Sequence, residues 1–130
     1  MNVTVGMAAE ARITVTEADT AAALGSGTAP VLATPRMTAL MEQAAWQAIA
    51  PGLDGGQSSV GVALSITHDA PTPVGMEVRA RAEVTAVNGR KISFSVQAFD
   101  ARGPIGQGVH DRVVIGEDKF VAKCYAKLEG

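Results

Sequence analysis

The stretch Val74–Phe99, VGMEVRARAEVTAVNGRKISFSVQAF, decides the fold class of this chain. Its first part, Val74–Val87, alternates apolar residues with charged or polar ones, which is typical of a strand with one buried face. The dipeptide Asn88-Gly89 follows, and it is the preferred sequence of a two-residue hairpin turn. The alternation then resumes over Arg90–Phe99. We therefore expect two antiparallel strands joined by a tight turn.

Three other segments show a strand pattern. Ala11–Glu17 predicts a first strand, Ser59–His68 a strand before the hairpin, and Ile105–Ile115 a strand after it. The tail Glu117–Glu129 fits either a further strand or a short helix. Together these segments predict an antiparallel sheet of five or six strands.

The clearest helix opens at Thr34-Pro35. Thr is a preferred N-cap residue and Pro is preferred at the first helical position. Apolar residues then recur at three- and four-residue steps, at Met37, Leu40, Met41, Ala44, Ala45 and Ala48. Pro51-Gly52 ends a helix of about 17 residues. One long helix beside an antiparallel sheet predicts an α+β fold, in a single domain that spans residues 1–130.

Composition excludes several functions. The 130 residues include 11 Lys and Arg against 13 Asp and Glu, a net charge of −2 that argues against nucleic-acid binding. No run of about 18 apolar residues exists, so we expect no membrane span. The single cysteine, Cys124, fits the reducing cytoplasm. Because the whole chain has only this cysteine and two histidines, we expect no metal site, and we expect no cofactor.

A core with few aromatic residues needs additional stabilisation. Aromatic residues make up 4% of the chain, which also contains 14 glycines. Small side chains bury little apolar area each, and oligomerisation, as a dimer or a higher oligomer, is one common source of the missing stability.

Six residues are candidates for chemistry. Glu42 lies at the edge of the helix stripe, either solvated or covered by a partner subunit. The Thr34 hydroxyl would lie at the positive end of the helix. His68, at a strand end before a Pro-rich turn, is either exposed or a proton-transfer group.

The other three candidates lie on strands. Gly61 indicates close approach of a backbone or a ligand. Arg112 could hold an anion or lie on the surface, and His110, on the same face, is expected to be structural or at the surface. No nucleophile elbow, P-loop or dinucleotide motif is present, so the residues alone do not name a reaction.

A family resemblance covers the chain from Val31 to its end. Ser59–Gly75, SVGVALSITHDAPTPVG, resembles the signature of hot-dog-fold acyl-CoA thioesterases, and more narrowly the fluoroacetyl-CoA thioesterase family. The segments Ala33–Trp46, ATPRMTALMEQAAW, and Gly106–Phe120, GQGVHDRVVIGEDKF, are similar to the same family. Its fold is a long helix wrapped by an antiparallel sheet.

The resemblance implies hydrolysis of an acyl-CoA to a carboxylate and CoA at the interface of a homodimer. By the family's spacing, Thr34, Glu42 and His68 match its catalytic residues, and Gly61 and Arg112 match positions that bind substrate. Glu42 would act as nucleophile or as base, and His68 would transfer the proton. Thr34 would position Glu42 or the substrate carbonyl.

One segment departs from the family pattern. The fluoroacetyl-specific enzyme has phenylalanines over its acyl pocket before the threonine, whereas Gly25–Leu32, GSGTAPVL, has no aromatic residue. We therefore expect a broader or different acyl group.

Two other functions are compatible with the fold. A hydratase or dehydratase would need an Asp–His pair, which Asp69 beside His68 does not reproduce. A non-catalytic acyl-CoA-binding module would release no thiol from acyl-CoA.

Overall fold

The computed structural model describes all 130 residues, from Met1 to Gly130. The strands are β1 (Ala8–Thr14), β2 (Gln57–His68), β3 (Glu77–Asn88), β4 (Lys91–Asp100) and β5 (Gly103–Gly116). The helices are α1 (Ala21–Leu24), α2 (Thr34–Ile49) and α3 (Glu117–Tyr125), with 3₁₀ turns at Glu17–Asp19, Ala50–Gly52 and Ala126–Glu129.

The five strands form one antiparallel sheet in the order β1-β3-β4-β5-β2. The predicted hairpin joins β3 to β4, where Asn88 pairs with Lys91. Gly89 has a φ of 62°, a left-handed conformation that glycine adopts without strain. The expected α+β arrangement with an antiparallel sheet is confirmed, and β1 and β2 are its two edges.

The core lies between α2 and one face of the sheet. The predicted apolar stripe of α2 is buried along its whole length, and α2 packs mainly against β1 and β3. The inner sheet face is formed by alternate residues of the hairpin, Val78, Ala80, Ala82, Val84, Ile92, Phe94, Val96 and Ala98. The charged residues of β3, such as Arg79 and Arg81, lie on the opposite face, as a period of two requires.

One predicted strand has different bounds in the structure, and the structure decides between the two alternatives for the tail. The first strand covers Ala8–Thr14 rather than Ala11–Glu17, because the Thr16 N–H and hydroxyl bond the Asp19 carboxylate and start a turn. The upstream part of β1 is poor in large apolar residues, so its alternation is weak. The tail forms a helix, α3, and not a further strand.

The edge strand β2 is much less buried than its alternation suggests. Val62 is 54% exposed and Leu64 is 39% exposed. Neither side chain enters the core that α2 covers. Separately, no helix in the structure is both long enough and apolar enough to cross a membrane.

Replacing Leu40 by alanine tests the central role of α2. Leu40 is fully buried, so Leu40→Ala leaves a cavity and should lower the free energy of unfolding by about 2–5 kcal/mol. The half-buried Gln43 lies outside the core cluster, and Gln43→Ala should change stability by no more than about 0.5 kcal/mol. Denaturant unfolding at one protein concentration measures both. Equal effects would show that the stripe is not the main stabilising surface.

Candidate active site

Thr34 and His68 meet where α2 begins and β2 ends. The Thr34 hydroxyl oxygen lies 2.7 Å from His68 Nδ1, a hydrogen-bond distance. The prediction that Thr34 is the N-cap is wrong, since Ala33 occupies that position and Thr34 is the first helical residue. The Ala33 carbonyl accepts the first helical bonds, from Arg36 and Met37. The Thr34 hydroxyl is therefore not used as a cap and bonds His68.

The other ring nitrogen of His68 has no hydrogen-bond partner. Nε2 is fully buried, although the residue as a whole is only half-buried. A buried polar atom without a partner costs about 1–3 kcal/mol, and such atoms are found where a ligand or another chain supplies the missing bond. His68 thus combines one nitrogen bonded to Thr34 with one buried nitrogen that has no partner within this chain.

A cavity of about 290 Å³ adjoins the Thr34–His68 pair. Its walls come from the segment before α2 and from the turn after β2, and include Ala21, Ser26, Val31, Leu32, Ala70 and Pro71. All of these side chains are aliphatic or small. The Asp69 carboxylate also lines the cavity, which therefore combines small or aliphatic walls with two hydroxyls (Ser26 and Thr34), one imidazole and one carboxylate.

The first turn of α2 reaches the end of β2 because residue 106 is a glycine. A Cβ at Gly106 would lie 2.7 Å from Met37 Cε and 2.7 Å from the Thr67 carbonyl oxygen, closer than real atoms approach. Gly106 also pairs with His68 in the β2–β5 ladder. This close packing brings Thr34 within hydrogen-bonding distance of the imidazole.

Asp19 attaches the segment before α2 to the helix itself. Its carboxylate accepts hydrogen bonds from the Thr16 backbone N–H at 2.8 Å and from Arg36 Nε at 2.9 Å. Its carbonyl accepts the Ala33 N–H at 2.9 Å. The bond from the Thr16 backbone lowers the pKa of Asp19, and the Arg36 guanidinium lowers it further, against the opposing effect of burial.

Glu42, Gly61 and Arg112 form a second cluster near the middle of α2. Glu42 Oε2 lies 3.9 Å from Arg112 Nη1, and the Glu42 side chain is 43% exposed. A Cβ at Gly61 would lie 2.9 Å from Glu42 Oε2. The close approach indicated by Gly61 is thus made by the Glu42 carboxylate, which lies directly over the strand.

Arg112 is buried, so of its two predicted alternatives the surface position is wrong. Its Nε donates to the Ser59 hydroxyl at 2.8 Å, and its Nη2 donates to the Ser59 carbonyl at 2.9 Å. Its Nη1 lies 3.2 Å from His110 Nε2, and His110 is only 2% exposed. Burial lowers the pKa of Arg112, while the Glu42 carboxylate opposes that shift.

The sequence pattern does not indicate Ser59, which holds two of the Arg112 donors. The only available signal is positional. Ser59 lies two residues before Gly61, so it shares the face of β2 that carries Gly61. Gly61 pairs with Arg112 in the ladder, and this register is known only from the structure.

The two clusters are far apart within one chain. Thr34 and Glu42 are separated by eight positions (42 − 34) on α2, about 12 Å along the helix axis. Gly61 and His68 are separated by seven positions (68 − 61) on β2, roughly 23 Å along the strand. A small reacting group cannot contact both clusters of one chain at once.

Comparison with known families identifies relatives of this chain. Residues 15–118 match the family described as fluoroacetyl-CoA-specific thioesterase. A fluoroacetyl-CoA thioesterase from Streptantibioticus cattleyicolor is 45% identical over 97 residues, which are 75% of this chain and 70% of that protein. The matched range 15–118 includes both clusters.

Solved structures show the same fold. The fluoroacetyl-CoA thioesterase FlK superposes with a TM-score of 0.91 at 37% identity, over 98% of each chain. A thioesterase superfamily member from Thermus thermophilus has a TM-score of 0.87 at 29% identity, over 97% of this chain and 93% of the other. A hot-dog-like protein from Thermanaerovibrio acidaminovorans has a TM-score of 0.86 at 26% identity, with the same coverage of each chain. The hot-dog fold predicted from the sequence is confirmed.

The Asp19 carboxylate should make stability depend on pH. Because folding lowers its pKa from 3.8, it stabilises the fold above that pH and ceases to do so as the pH falls through the lower, folded value. Asp19→Asn should therefore cost about 1 kcal/mol at pH 7 and almost nothing at acid pH. Denaturant unfolding across pH measures the difference.

The matched control is Glu17→Gln. It removes the same charge two residues away, from a side chain that makes no hydrogen bond or ion pair. It should leave stability unchanged at both pH values. A loss in Asp19→Asn that persisted at acid pH would mean that the ionised carboxylate is not the stabilising form.

Proposed function

The chain belongs to the fluoroacetyl-CoA-specific thioesterase family and is a thioester hydrolase, and we propose that it hydrolyses acyl-CoA with Thr34, Glu42 and His68 at a site between two copies of the chain. The observation that carries this assignment is the Thr34–His68 hydrogen bond beside a cavity lined largely by small and aliphatic side chains. A histidine with one nitrogen bonded and the other unpaired is suited to transferring a proton at a bound substrate.

Thioester hydrolysis requires an attacking oxygen, a proton for the leaving sulfur and stabilisation of the oxyanion. The Glu42 carboxylate attacks the carbonyl carbon to form an anhydride that water then hydrolyses, or it accepts a proton from a water that attacks directly. The C–S bond breaks, and His68 donates a proton to the sulfur. Overall, one water gives its hydroxyl to the acyl group and a proton to CoA.

The Thr34 hydroxyl orients His68 in this proposal. Its bond to Nδ1 supports that role over the expected contact with Glu42, since Glu42 lies about two helical turns away. The Thr34 side chain also lies in the first turn, where the helix dipole favours negative charge.

Gly61 and Arg112 bind the substrate in this proposal. The ladder register shifts between Gly61 and Ala63, and a β-bulge of this kind leaves backbone groups unpaired. This supports use of the Gly61 N–H for the substrate carbonyl. The Arg112 guanidinium, buried beside Glu42, supplies positive charge where the oxyanion develops.

A second copy of the chain brings the two clusters together in this proposal. Strand β2 is an unpaired edge with exposed apolar side chains at Val62 and Leu64, and Trp46 on α2 is 46% exposed. Exposed strand edges of this kind pair readily with another chain. Pairing of β2 with its symmetry mate would cover that edge and place Glu42 of one copy near His68 of the other.

The acyl group is expected to be broader than fluoroacetyl. The cavity beside Thr34 is bounded by Ala21, Ser26 and Val31, and no aromatic side chain lines it. Small walls leave room for a larger acyl chain. One FlK variant has been crystallised with fluoroacetate and CoA, which supports a CoA thioester as the substrate class here.

A reducing cytoplasm is the proposed location. Cys124 is the only cysteine, and its thiol is free and exposed. Exposed free thiols persist in reducing compartments. For hydratase chemistry an Asp–His pair would be needed, but Asp69, which lines the same cavity, is bonded by the Thr67 hydroxyl at 3.2 Å, and the partner of His68 is Thr34.

Disrupting the β2 edge should abolish both dimer and activity. Leu64→Glu places a charge at the proposed interface, so the wild type should sediment as a dimer at about micromolar concentration and the variant as a monomer. The variant should also lose thiol release from acyl-CoA. Val87→Glu, at an exposed apolar residue outside the edge, is the control and should stay dimeric. A fully active monomer would contradict the two-chain site.

Glu42→Gln should abolish thiol release while leaving the fold and the dimer intact. Gln keeps the size of the side chain but is neither a base nor a good nucleophile, so the rate should fall by about 10²–10⁴-fold or more. His68→Ala should be similarly severe, and Thr34→Ser should keep much of the activity because it retains the hydroxyl. Release of free thiol from a panel of acyl-CoAs measures all of these rates. Turnover of Glu42→Gln within about threefold of wild type would refute the role of the carboxylate.

Mixing two inactive variants tests which chains share a site. If Glu42 and His68 act from different copies, refolding Glu42→Gln together with His68→Ala gives heterodimers with one intact site. Activity should then return to about a quarter of wild type, because half the dimers are mixed and each has one working site. If both residues act from the same chain, no activity returns. The acyl panel also distinguishes catalysis from acyl-CoA binding without hydrolysis.

A further inference from the structure

His110 is a fully buried histidine whose two ring nitrogens are both bonded. Its Nδ1 lies 2.8 Å from the Ala63 carbonyl oxygen on β2, and its Nε2 lies 3.2 Å from Arg112 Nη1. The ring stacks against Phe94 at a centroid distance of 6.0 Å. The expectation that His110 could lie on the surface is wrong, and it connects β2, β4 and β5.

The two partners determine where the His110 proton resides. A carbonyl oxygen only accepts hydrogen bonds, so Nδ1 must carry the proton that it donates to Ala63. A guanidinium only donates, so Nε2 must be the acceptor. Burial lowers the pKa of His110, and the neighbouring Arg112 charge lowers it further. The neutral form with its proton on Nδ1 satisfies both bonds.

His110 also determines how Arg112 meets Glu42. Nη1 lies 3.2 Å from His110 Nε2 but 3.9 Å from Glu42 Oε2, and a tight ion pair would have a distance of about 2.8 Å. Ser59 accepts hydrogen bonds from Nε and Nη2 of Arg112. His110 Nε2 accepts the bond from the third nitrogen, Nη1. The Glu42 carboxylate therefore stays close to a positive charge without a direct hydrogen bond from it.

The second bond of His110 holds the strand beside Gly61. The ladder register shifts between Gly61 and Ala63, and the imidazole donates to the carbonyl at the end of that bulge. A Cβ at Gly61 would lie 3.1 Å from His110 Cε1, so the ring also lies directly beneath this glycine. One imidazole thus contacts both groups that would bind the substrate.

We propose that His110 is a positioning residue, whose neutral imidazole holds the Arg112 guanidinium away from a tight ion pair with Glu42 and holds the Gly61–Ala63 bulge in place. This inference rests on the proposed catalytic use of Glu42 and Arg112. His110 itself does not contact the reacting atoms in this arrangement.

Two substitutions of His110 separate its bonding from its packing. His110→Phe keeps a ring against Phe94 but removes both hydrogen bonds, so Arg112 can close onto Glu42 and kcat should fall about 10–100-fold, with a smaller change in KM. His110→Gln offers an oxygen to Arg112 and should recover kcat to within about fivefold of wild type. Val96→Ala, a buried change on β4, should lower the melting temperature without lowering kcat.

A double-mutant cycle tests whether His110 acts through Arg112. In an Arg112→Gln background no guanidinium remains to be misplaced and only the loss of the Ala63 bond acts, so adding His110→Phe should lower kcat by a clearly smaller factor than it does in the wild type. Multiplication of the two single effects would overturn the proposal. So would a His110→Phe enzyme with the kcat of wild type.

A spectroscopic test is independent of turnover. The chain has two histidines, so ¹⁵N-histidine labelling gives two sets of imidazole signals, assigned with His68→Ala. At pH 6.5, where an unperturbed histidine is half protonated, more than half of His110 should be neutral, with its proton on Nδ1. The charged groups that affect it are Arg112, Glu42 and Asp111, while its neighbours Phe94 and Ala63 are uncharged.

Removing the Arg112 guanidinium should make His110 easier to protonate. In Arg112→Gln the adjacent positive charge is lost, so the pKa of His110 should rise and protonation should begin at higher pH. A wild-type His110 that is mainly charged at pH 6.5, or neutral with its proton on Nε2, would overturn the positioning role whatever the activity. Absence of thiol release from wild type with the expected His110 signals would instead refute the proposed function alone.

Discussion

The close approach of α2 to the sheet is the constraint on which both clusters depend. Three of the buried residues of α2 are alanines, Ala44, Ala45 and Ala48, and alanines also recur on the inner face of the sheet. Small side chains on both surfaces let the helix lie close to the sheet. A helix farther from the sheet would separate Thr34 from His68 and Glu42 from Gly61. The packing of α2 and the geometry of both clusters therefore both require small side chains between the helix and the sheet.

A buried guanidinium is the second physical element of the site. Transferring Arg112 out of water is costly unless its donors are bonded and its charge is balanced. Ser59 and His110 take its hydrogen bonds, and the Glu42 carboxylate balances its charge from α2. This arrangement connects β5 and α2 to β2, which is the edge strand with exposed apolar side chains. In the proposed dimer that edge is the boundary between the two copies, so the charge cluster and the Thr34–His68 pair complete each other across it.

Most of the fold can be predicted from local sequence patterns, because its strands, its hairpin turn and its long helix form through residues that are close in sequence. The alternation of Val78 to Val84, the Asn88-Gly89 turn and the apolar steps of α2 each specify a conformation through nearby residues. The start of β1 and the end of the chain were less predictable. At β1, Ala8 and Ala9 give little alternation, and the local bonds of Thr16 with Asp19 end the strand early. At the end, α3 has no buried residue to mark its pattern.

For the site, the sequence alone determined which residue types stand at Thr34, Glu42, Gly61, His68 and Arg112, and that spacing was enough to indicate the family. Only the tertiary structure decided their partners. Thr34 could serve as a helix cap or bond a distant side chain, and the position of Ala33 before the helix and the approach of His68 from β2 decided between them. Burial of His110 and Arg112 depended on the register of β5 against β2, because a shift of one residue turns each side chain to the opposite face. Register is set by contacts between distant segments, and no local pattern contains it.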